Sequence, residues 1–245
     1  MCFSASLRKG KVEIESILEN VFDTKISAPL GYQEYYHLNG FTHGNLYIIK
    51  MDEPDVIYPA SWGLVPEWAK EDSESFLKTT NTLNARSESL FKRSTFRESA
   101  STKRCLILAD GFFEPHHKFG VSIPHFIYQP SNNYPEGDLF LFGGLYTELG
   151  DNKFSTTIIT MEANEFFAEI HNRKKRMPFI LSEDLYANWL DEGVSKQSLE
   201  ELMIHGFTEK EFKAHPVSKD LYRREVDTNK PYIVEPAQND TPSLF

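Results

Sequence analysis

The sequence has few cysteines, and this scarcity excludes several kinds of protein. Cys2 and Cys105 are the only two among 245 residues, so a framework of disulfide bonds cannot stabilise the fold. Two thiols without such a framework are typical of a reducing compartment, and we expect a cytoplasmic protein. The cysteines and histidines show none of the usual spacings of metal ligands. We therefore predict no metal site and no cofactor.

Long hydrophobic runs are also lacking. No apolar segment approaches the roughly 20 residues that a membrane-spanning helix needs. The start of the chain has no hydrophobic stretch with a cleavage site, so we expect no secretory signal. No apolar stretch precedes Cys2, which argues against a lipoprotein anchor. The sequence therefore predicts no membrane partner.

A positive net charge is absent as well. Lysine and arginine total 26 against 36 aspartates and glutamates, which gives a formal charge of −10. This balance argues against a protein that coats nucleic acid generally, because phosphate binding depends on clustered Lys and Arg. The basic residues are nevertheless uneven, so an acidic protein could still carry one basic groove; each cluster could equally be a solvated face. The clusters occupy residues 8–11, 92–93, 103–104 and 173–176.

The apolar residues that are present suffice for a hydrophobic core. They make up 40% of the chain, a typical globular value, and the length fits one large domain or two small ones. The chain contains no internal linker, repeat or low-complexity block. We therefore predict one domain over residues 1–235, followed by a flexible tail at 236–245.

The spacing of apolar residues predicts strands in the middle of the chain and helices at either side. Residues 12–22 have helical spacing, and residues 182–193 and 195–206 carry helix-capping signals. Residues 83–93 predict a short helix, and residues 59–70 predict a loop rich in turn formers and tryptophan. Strands are predicted where β-branched and aromatic residues concentrate, at 44–50, at 104–115 with a break at Asp110 and Gly111, and at 125–129, 139–149, 154–162 and 212–218.

The order of these elements indicates the fold class. Strict alternation of strand and helix is absent, which favours an α+β fold over a parallel α/β sheet. We predict a single domain with a mostly antiparallel, barrel-like β core that is flanked by helices.

Cys2 draws attention because it directly follows Met1, and an initiator methionine is commonly trimmed when the next side chain is small. Trimming would give an exposed Cys2 a free α-amine beside its thiol. An α-amine has a reference pKa of about 7.7–8.0 against about 10.4 for lysine, so it is far more often unprotonated at neutral pH. Such an amine can attack an aldehyde to form a Schiff base, and the thiol can then add to the imine carbon and close a thiazolidine ring. The alternative is that Cys2 stands here by accident.

Other polar residues lie in apolar or turn-rich segments and could assist this chemistry. Asn84 and Arg86 lie in "LNARSES", Glu114 follows a predicted core strand, and His171 precedes the basic cluster at 173–176. Asparagine can orient a hydroxyl group, glutamate near an apolar wall can shuttle protons, and histidine titrates near neutrality. Each also has a structural explanation: a helix cap for Asn84, a salt bridge for Glu114, and a hydrogen-bonded loop histidine for His171.

Taken in order, these residues resemble the SOS response-associated peptidase (SRAP) family of abasic-site processing proteins. The resemblance spans nearly the whole chain and implies one α+β domain that acts on abasic sites in single-stranded DNA. It rests on Met-Cys at the start, "WGLVPEW" at 62–68, "NAR" at 84–86, "RC" and "GFFE" within 104–114, "H…RMP" at 171–178 and "HPVS" at 215–218.

The resemblance also implies roles for single residues. Cys2 would be the nucleophile that forms a thiazolidine cross-link with the ring-opened deoxyribose. Asn84 would hold the sugar near Cys2, and Glu114 would transfer the protons that open the sugar and later reverse the link. His171 would assist proton transfer and stabilise the adduct, and Arg86 would contact phosphate.

DNA around the abasic site would be held through backbone charge and aromatic stacking, without sequence readout. Trp62 and Trp68 are candidates for the aromatic surface, with core packing as the alternative. The His-x-Arg-Met-Pro pattern of many relatives is lengthened here to "HNRKKRMP". Either Arg173 or Arg176 could therefore bind phosphate, and we favour Arg176 because it directly precedes Met-Pro.

Two further departures from the family pattern affect the expected DNA contacts. Many relatives continue Met-Cys with Gly-Arg, whereas this chain reads "MCFSAS", so Arg8 is the candidate to replace the missing arginine. Many relatives also have a tryptophan after the catalytic glutamate, where this chain has Pro115. Phe112, Phe113 or His116 could provide the lost stacking.

The expected partner is single-stranded DNA that contains abasic sites, bound by a monomer near the nucleoid of a bacterial-type cell. Two alternatives stay open. In an N-terminal-nucleophile hydrolase or autopeptidase, which the family's name suggests, Cys2 would attack an amide and its own amine would act as the base. In a non-catalytic single-strand binding module, Trp62, Trp68 and the basic clusters would bind DNA without covalent chemistry.

Overall fold

The computed structural model describes residues 2–237, and these form twelve β-strands and six α-helices joined by short 3-10 turns. The strands are β1 (Ser4–Leu7), β2 (Tyr35–Asn39), β3 (Asn45–Lys50), β4 (Glu53–Trp62), β5 (Asn84–Arg86), β6 (Arg104–Ala109), β7 (Gly111–Lys118), β8 (Val121–Tyr128), β9 (Phe140–Gly150), β10 (Lys153–Glu162), β11 (Arg176–Pro178) and β12 (Lys213–Pro216). The helices are α1 (Lys11–Phe22), α2 (Ser73–Thr79), α3 (Arg97–Thr102), α4 (Glu165–Ile170), α5 (Tyr186–Leu190) and α6 (Lys196–His205).

The strands form two sheets, and one of them closes into a ring. The open sheet has the order β12-β8-β7-β1-β2. In the other, β10, β4, β3, β6 and β9 pair in turn, and β9 pairs again with β10 to complete the ring. Its pairings are antiparallel except those of β10 with β4 and with β5. The predicted α+β class with a mostly antiparallel, barrel-like core is therefore confirmed.

The closed sheet surrounds the main hydrophobic core. Every residue of β6 is buried, and β3, β9 and β10 are buried along most of their length. Burying one large apolar side chain contributes about 1.5–3 kcal/mol, so this ring supplies much of the stability. Arg104 is fully buried beside it and donates hydrogen bonds to the carbonyl oxygens of Trp189 at 2.9 Å and Asp191 at 2.6 Å. The arginine of the "RC" motif thus joins α5 to β6.

A second, smaller core lies against the open sheet. It consists of Phe113, Phe126, Val217 and Ile233. Because Val217 and Ile233 come from the last part of the described chain, this cluster fixes that part against β7 and β8.

Several predicted elements are confirmed. The helix at 12–22 is α1, and it buries Ile14 and Leu18. The predicted strand break also occurs, because β6 ends one residue before Asp110 and β7 begins at Gly111. A Cβ at Gly111 would lie 2.2 Å from the ring of Phe126, so only glycine allows this close approach.

Two predictions were wrong. The segment 83–93 is not a helix: it contains β5 and then a 3-10 turn at Ser87–Ser89, because parallel pairing with β10 satisfies its backbone groups. The segment 59–70 is not a loop throughout, since β4 continues to Trp62 and pairs with β3 and β10. The domain boundary at residue 235 stays a prediction, and residues 238–245 of the predicted tail lie outside the described residues.

The helices within residues 2–237 are short. None of them combines the length and the apolar character that crossing a membrane requires.

Candidate functional site

Cys2 is held in place by β1, the strand of the open sheet that begins two residues after it. β1 lies between β2 and β7, and the amide of Gly40 donates to the carbonyl oxygen of Phe3 at 2.8 Å. The side chain of Cys2 is fully buried, and its Sγ lies 3.6 Å from the carbonyl oxygen of Ser4. The expectation of an exposed Cys2 is therefore wrong for this structure. Burial, with a smaller contribution from the charge of Glu114, raises the pKa of the Cys2 thiol well above its ordinary value, which favours the neutral thiol.

Asn84 reaches Cys2 from the other sheet. It begins β5, which pairs in parallel with β10 opposite Ile158. The Nδ2 of Asn84 donates a hydrogen bond to the carbonyl oxygen of Cys2 at 2.8 Å. Asn84 therefore lies in a strand and not at a helix cap, and its amide group orients the backbone next to the candidate nucleophile.

Glu114 lies on β7, the strand that pairs with β1. Its side chain is 2% exposed, although the residue also lines a cleft described below. Burial raises the pKa of Glu114 to about 7, while the positive charge of Lys174 opposes the rise. A carboxyl group with this pKa can both give and accept a proton near neutral pH.

His171 completes the cluster from the end of α4. Its Nδ1 lies 3.0 Å from the carbonyl oxygen of Arg176, and because a carbonyl can only accept, Nδ1 carries the hydrogen. The same Nδ1 is 3.7 Å from Oε2 of Glu114. Burial lowers the pKa of His171 to about 4, so the imidazole is neutral near pH 7. In this tautomer the second nitrogen, Nε2, holds the basic lone pair.

A cleft of about 470 Å³ opens beside these residues. Glu114 and His171 line it, as do Phe3 and Ser4, the two residues that follow Cys2. A neighbouring cleft of about 330 Å³ contains Asn84, and Phe3 lines both. The larger cleft also carries aromatic and basic side chains, namely Phe41, Phe113, Tyr222, Arg173, Lys174 and Arg224.

The lengthened turn after His171 separates its basic residues. Arg173 and Lys174 line the larger cleft. Arg176 instead forms an ion pair with Glu88 and donates to the carbonyl oxygen of Thr160 at 2.6 Å. Arg176 is therefore committed to joining β11 to its neighbours, and the geometry favours Arg173 over Arg176 as the candidate phosphate ligand.

The tryptophans differ in their surroundings. Trp62 is fully buried, and its Nε1 donates to the carbonyl oxygen of Leu83 at 2.8 Å. The expectation of Trp62 as part of an aromatic surface is wrong, because the ring is part of the core. Trp68 is 63% exposed and contacts Phe76 edge to face; it lines neither of the two clefts. Arg86 is exposed and lines the smaller cleft.

The two departures from the family pattern have structural explanations. Arg8 does not reach the clefts, because its Nε is 3.1 Å from Oδ2 of Asp110 and its backbone amide donates to the same carboxylate. Pro115 and Phe113 line the larger cleft. Phe112 is fully buried, and the Nδ1 of His116 donates to a backbone carbonyl of α4. Of the proposed stacking residues, Phe113 alone borders the cleft.

Some residues that line the larger cleft could not be predicted from sequence motifs. Lys174 lies in a visible basic cluster, whereas Phe41, Tyr222 and Arg224 lie in segments without periodic or motif signals. Their position depends on how the chain crosses the open sheet.

Comparisons with known proteins agree on one family. Residues 1–223 match the family model described as "SOS response associated peptidase (SRAP)". Abasic site processing protein YoaM of Bacillus subtilis (strain 168) is 32% identical over 205 residues, which cover 80% of this chain and 85% of YoaM. Abasic site processing protein YoqW of the same organism is 32% identical over 183 residues, 71% of this chain and 74% of YoqW.

More distant relatives and solved structures extend the comparison. Abasic site processing protein HMCES of Gallus gallus is 34% identical over 156 residues, 56% of this chain and 45% of HMCES. A crystal structure of a Bacteroides thetaiotaomicron protein superposes with a TM-score of 0.77 at 28% identity, covering 96% of this chain and 100% of the other. A Bordetella bronchiseptica protein shares the fold with a TM-score of 0.68 at 19% identity, over 89% of this chain and all of the other.

Proposed function

Because the chain belongs to the SOS response associated peptidase (SRAP) family, we propose that it processes abasic sites in DNA and traps the opened sugar covalently at Cys2. One observation carries the proposal: side chains far apart in sequence converge on Cys2. Asn84 donates to the Cys2 carbonyl, and the charge of Glu114 acts on the Cys2 thiol. His171 lies 3.7 Å from the Glu114 carboxyl group.

The proposed reaction begins with an amine. Once Met1 is removed, the α-amine of Cys2 attacks the aldehyde carbon of the ring-opened deoxyribose and forms a carbinolamine. Loss of water gives an imine. The thiol sulfur then adds to the imine carbon while its proton passes to the nitrogen, and a thiazolidine ring closes. Water is the only product released, and no oxidant or reductant is needed.

Glu114 is the proposed proton carrier. Opening the sugar requires a proton on the ring oxygen, and loss of water from the carbinolamine requires a second one. With a pKa of about 7, Glu114 is protonated in a large fraction of molecules at neutral pH and can supply either proton. Running the same transfers backwards would reverse the link.

Asn84 and His171 have supporting roles in this proposal. Asn84 holds the Cys2 backbone, and with it the amine, in one orientation against the sugar. The neutral imidazole of His171 is fixed by the Arg176 carbonyl, and the lone pair on its Nε2 can accept a proton during the reaction. Arg86 and Arg173 would hold the phosphates on either side, because each lines one of the clefts that meet at Phe3.

The burial of Cys2 argues against a hydrolase whose nucleophile is the Cys2 thiolate. Reactive cysteines are thiolates in electropositive, partly exposed surroundings, whereas burial raises the pKa of the Cys2 thiol. A neutral thiol can add to an imine, because its proton can move to the imine nitrogen as the carbon–sulfur bond forms. The amine-first route therefore fits the site better. All the side chains it needs come from one chain, so a monomer on single-stranded DNA suffices.

The test is covalent capture. The protein is incubated with a single-stranded oligonucleotide containing one abasic site, and the products are separated on a denaturing gel and weighed by intact-mass spectrometry. We expect a shifted band whose mass is that of Met1-free protein plus DNA minus one water. Cys2→Ala should lose the band, whereas Cys105→Ala, which removes the chain's other thiol, should retain it.

The outcomes separate the alternatives. A non-catalytic binding module would show no band in any variant but normal retention on a native gel. A hydrolase would release product repeatedly and would gain no DNA mass. Either result would overturn the proposal.

A further inference from the structure

The last described part of the chain, residues 219–237, which we call the C-terminal strap, is tied to β2, the strand that pairs with β1. The Oδ1 of Asn229 accepts hydrogen bonds from the backbone amides of Tyr36 at 2.8 Å and His37 at 3.3 Å. The imidazole of His37 lies 2.6 Å from Oγ1 of Thr228 on one side and 3.0 Å from Oγ of Ser4 on the other. The strap therefore covers the free edge of β2.

A second anchor holds the strap beyond this point. Ile233 is fully buried in the small core with Phe113 and Phe126. The Nε2 of His215 donates to the carbonyl oxygen of Val234 at 2.7 Å, and the amide of Ala237 donates to β12 at 2.8 Å. These contacts anchor the strap after residue 227 and fix its direction across the open sheet. Most of it lies beyond the family match, which ends at residue 223.

The first part of the strap forms one wall of the larger cleft. Leu221, Tyr222 and Arg224 line the cleft, as do Arg173 and Lys174 of the turn after His171. The Tyr222 hydroxyl lies 3.0 Å from Oγ of Ser122, which holds the ring at the rim.

The charge of this cleft contrasts with that of the whole protein. Arg173, Lys174 and Arg224 bring three positive charges into it, although the chain as a whole carries −10. Among residues 2–237, none of these three side chains forms an ion pair, and Glu114 is the one acidic residue of the lining. The charge of Lys174 acts on Glu114, but three cations beside one acidic side chain still favour an anionic ligand in an acidic protein.

From this geometry we propose that Arg224 binds a phosphate flanking the abasic nucleotide, so that the C-terminal strap is a DNA-binding wall of the site. The proposal rests on the proposed function for the identity of the ligand. Arg173 and Lys174, which line the same cleft, would bind the same stretch of backbone.

The neighbouring arginine provides a matched control. Arg223 pairs with Asp220 at 3.0 Å, and its side chain is 62% exposed. It does not line the cleft. Arg224→Gln and Arg223→Gln therefore remove the same charge from adjacent positions, and only the first removes it from the proposed phosphate site.

The experiment measures equilibrium binding without covalent chemistry. The probe is a fluorescein-labelled single strand that contains tetrahydrofuran, an abasic analogue with no aldehyde, titrated by anisotropy between ~50 and ~200 mM salt. One lost phosphate contact should reduce the slope of log K against log salt by about 0.7 and weaken binding about fivefold near 0.1 M salt. We expect these changes for Arg224→Gln and wild-type values for Arg223→Gln, with unchanged melting temperatures for both.

Two results would overturn the inference. One is a wild-type salt slope for Arg224→Gln. The other is an equal loss of affinity in both variants, which would show that only the overall charge of the protein matters. Failure of the proposed function is distinguishable. In that case an abasic oligonucleotide would give no cross-link with wild-type protein, while the difference between the two arginine variants would persist for any single strand.

Discussion

Replacing Glu114 by glutamine tests the electrostatics of the site through stability. The substitution keeps the shape of the side chain and removes its titration. Burial raises the pKa of Glu114 from an ordinary 4.5 to about 7. Because the folded-state pKa lies above the unfolded one, the folded protein holds the proton more tightly. The wild type is therefore most stable relative to the variant below pH 4.5, and it loses this advantage as the pH rises through 7.

The size of the effect follows from the two pKa values. Their difference corresponds to about 3 kcal/mol of unfolding free energy at about 1.4 kcal/mol per pH unit. The buried histidines His37, His125 and His171 act in the opposite direction, since burial lowers their pKa values to about 4. They destabilise the folded state as the pH falls from 6.5 through 4. Subtracting one pH profile from the other cancels the contributions of His37 and His125, so the difference reports Glu114 together with its neighbour His171.

The assay is urea unfolding followed by tryptophan fluorescence, at intervals from pH ~4.5 to ~8. We expect the stability of the wild type minus that of Glu114→Gln to fall by about 3 kcal/mol across this range. Glu74→Gln, at a side chain that is 90% exposed, controls for loss of a surface carboxylate. Parallel profiles for wild type and Glu114→Gln would refute the raised pKa and remove Glu114 as a proton carrier at neutral pH. The rate of cross-linking in the variant should also fall, in formation and in reversal.

Two further substitutions test the framework around Cys2. Asn84→Ala leaves the buried Cys2 carbonyl without its side-chain donor, which costs about 1–3 kcal/mol of folding stability. We expect a lower melting temperature and slower single-turnover cross-linking. An unchanged cross-linking rate would show that Asn84 does not position Cys2. Gly111→Ala forces a methyl group against an aromatic ring at 2.2 Å, and such overpacking costs about 1–3 kcal/mol. Gly10→Ala, where nothing lies within 4 Å, is the control, and calorimetry showing equal melting temperatures for both variants would contradict the close approach.

Local patterns sufficed for the elements whose neighbours in sequence are also their neighbours in space. The helical repeat of Ile14 and Leu18 predicts α1 because both residues recur on one face. The strands β9 and β10 are long runs of β-branched and aromatic residues joined by a short turn, and such runs are reliable signals. The break at Asp110 and Gly111 is equally local.

Local patterns failed where a distant partner decided the conformation. The segment around Asn84 has helical composition but becomes a strand, because β10 offers its backbone hydrogen bonds from more than 70 residues away. The turn formers around Trp62 predict a loop, but Trp62 lies in the core because β4 continues into the closed sheet. The motif predicts Arg176 as a phosphate ligand, but its side chain pairs with Glu88, 88 positions earlier in the chain.

Composition, short periods and ordered motifs were enough to predict the α+β class, the family and the residue types that the chemistry needs. Three facts follow from the folded structure alone: Cys2 is buried beside Asn84 and Glu114, His171 lies next to Glu114, and Arg224 lines the same cleft as Arg173. These facts depend on contacts between residues up to about two hundred positions apart in the chain. Only the pairing of distant strands in the open and the closed sheet brings such residues together, and no pattern confined to neighbouring residues records it.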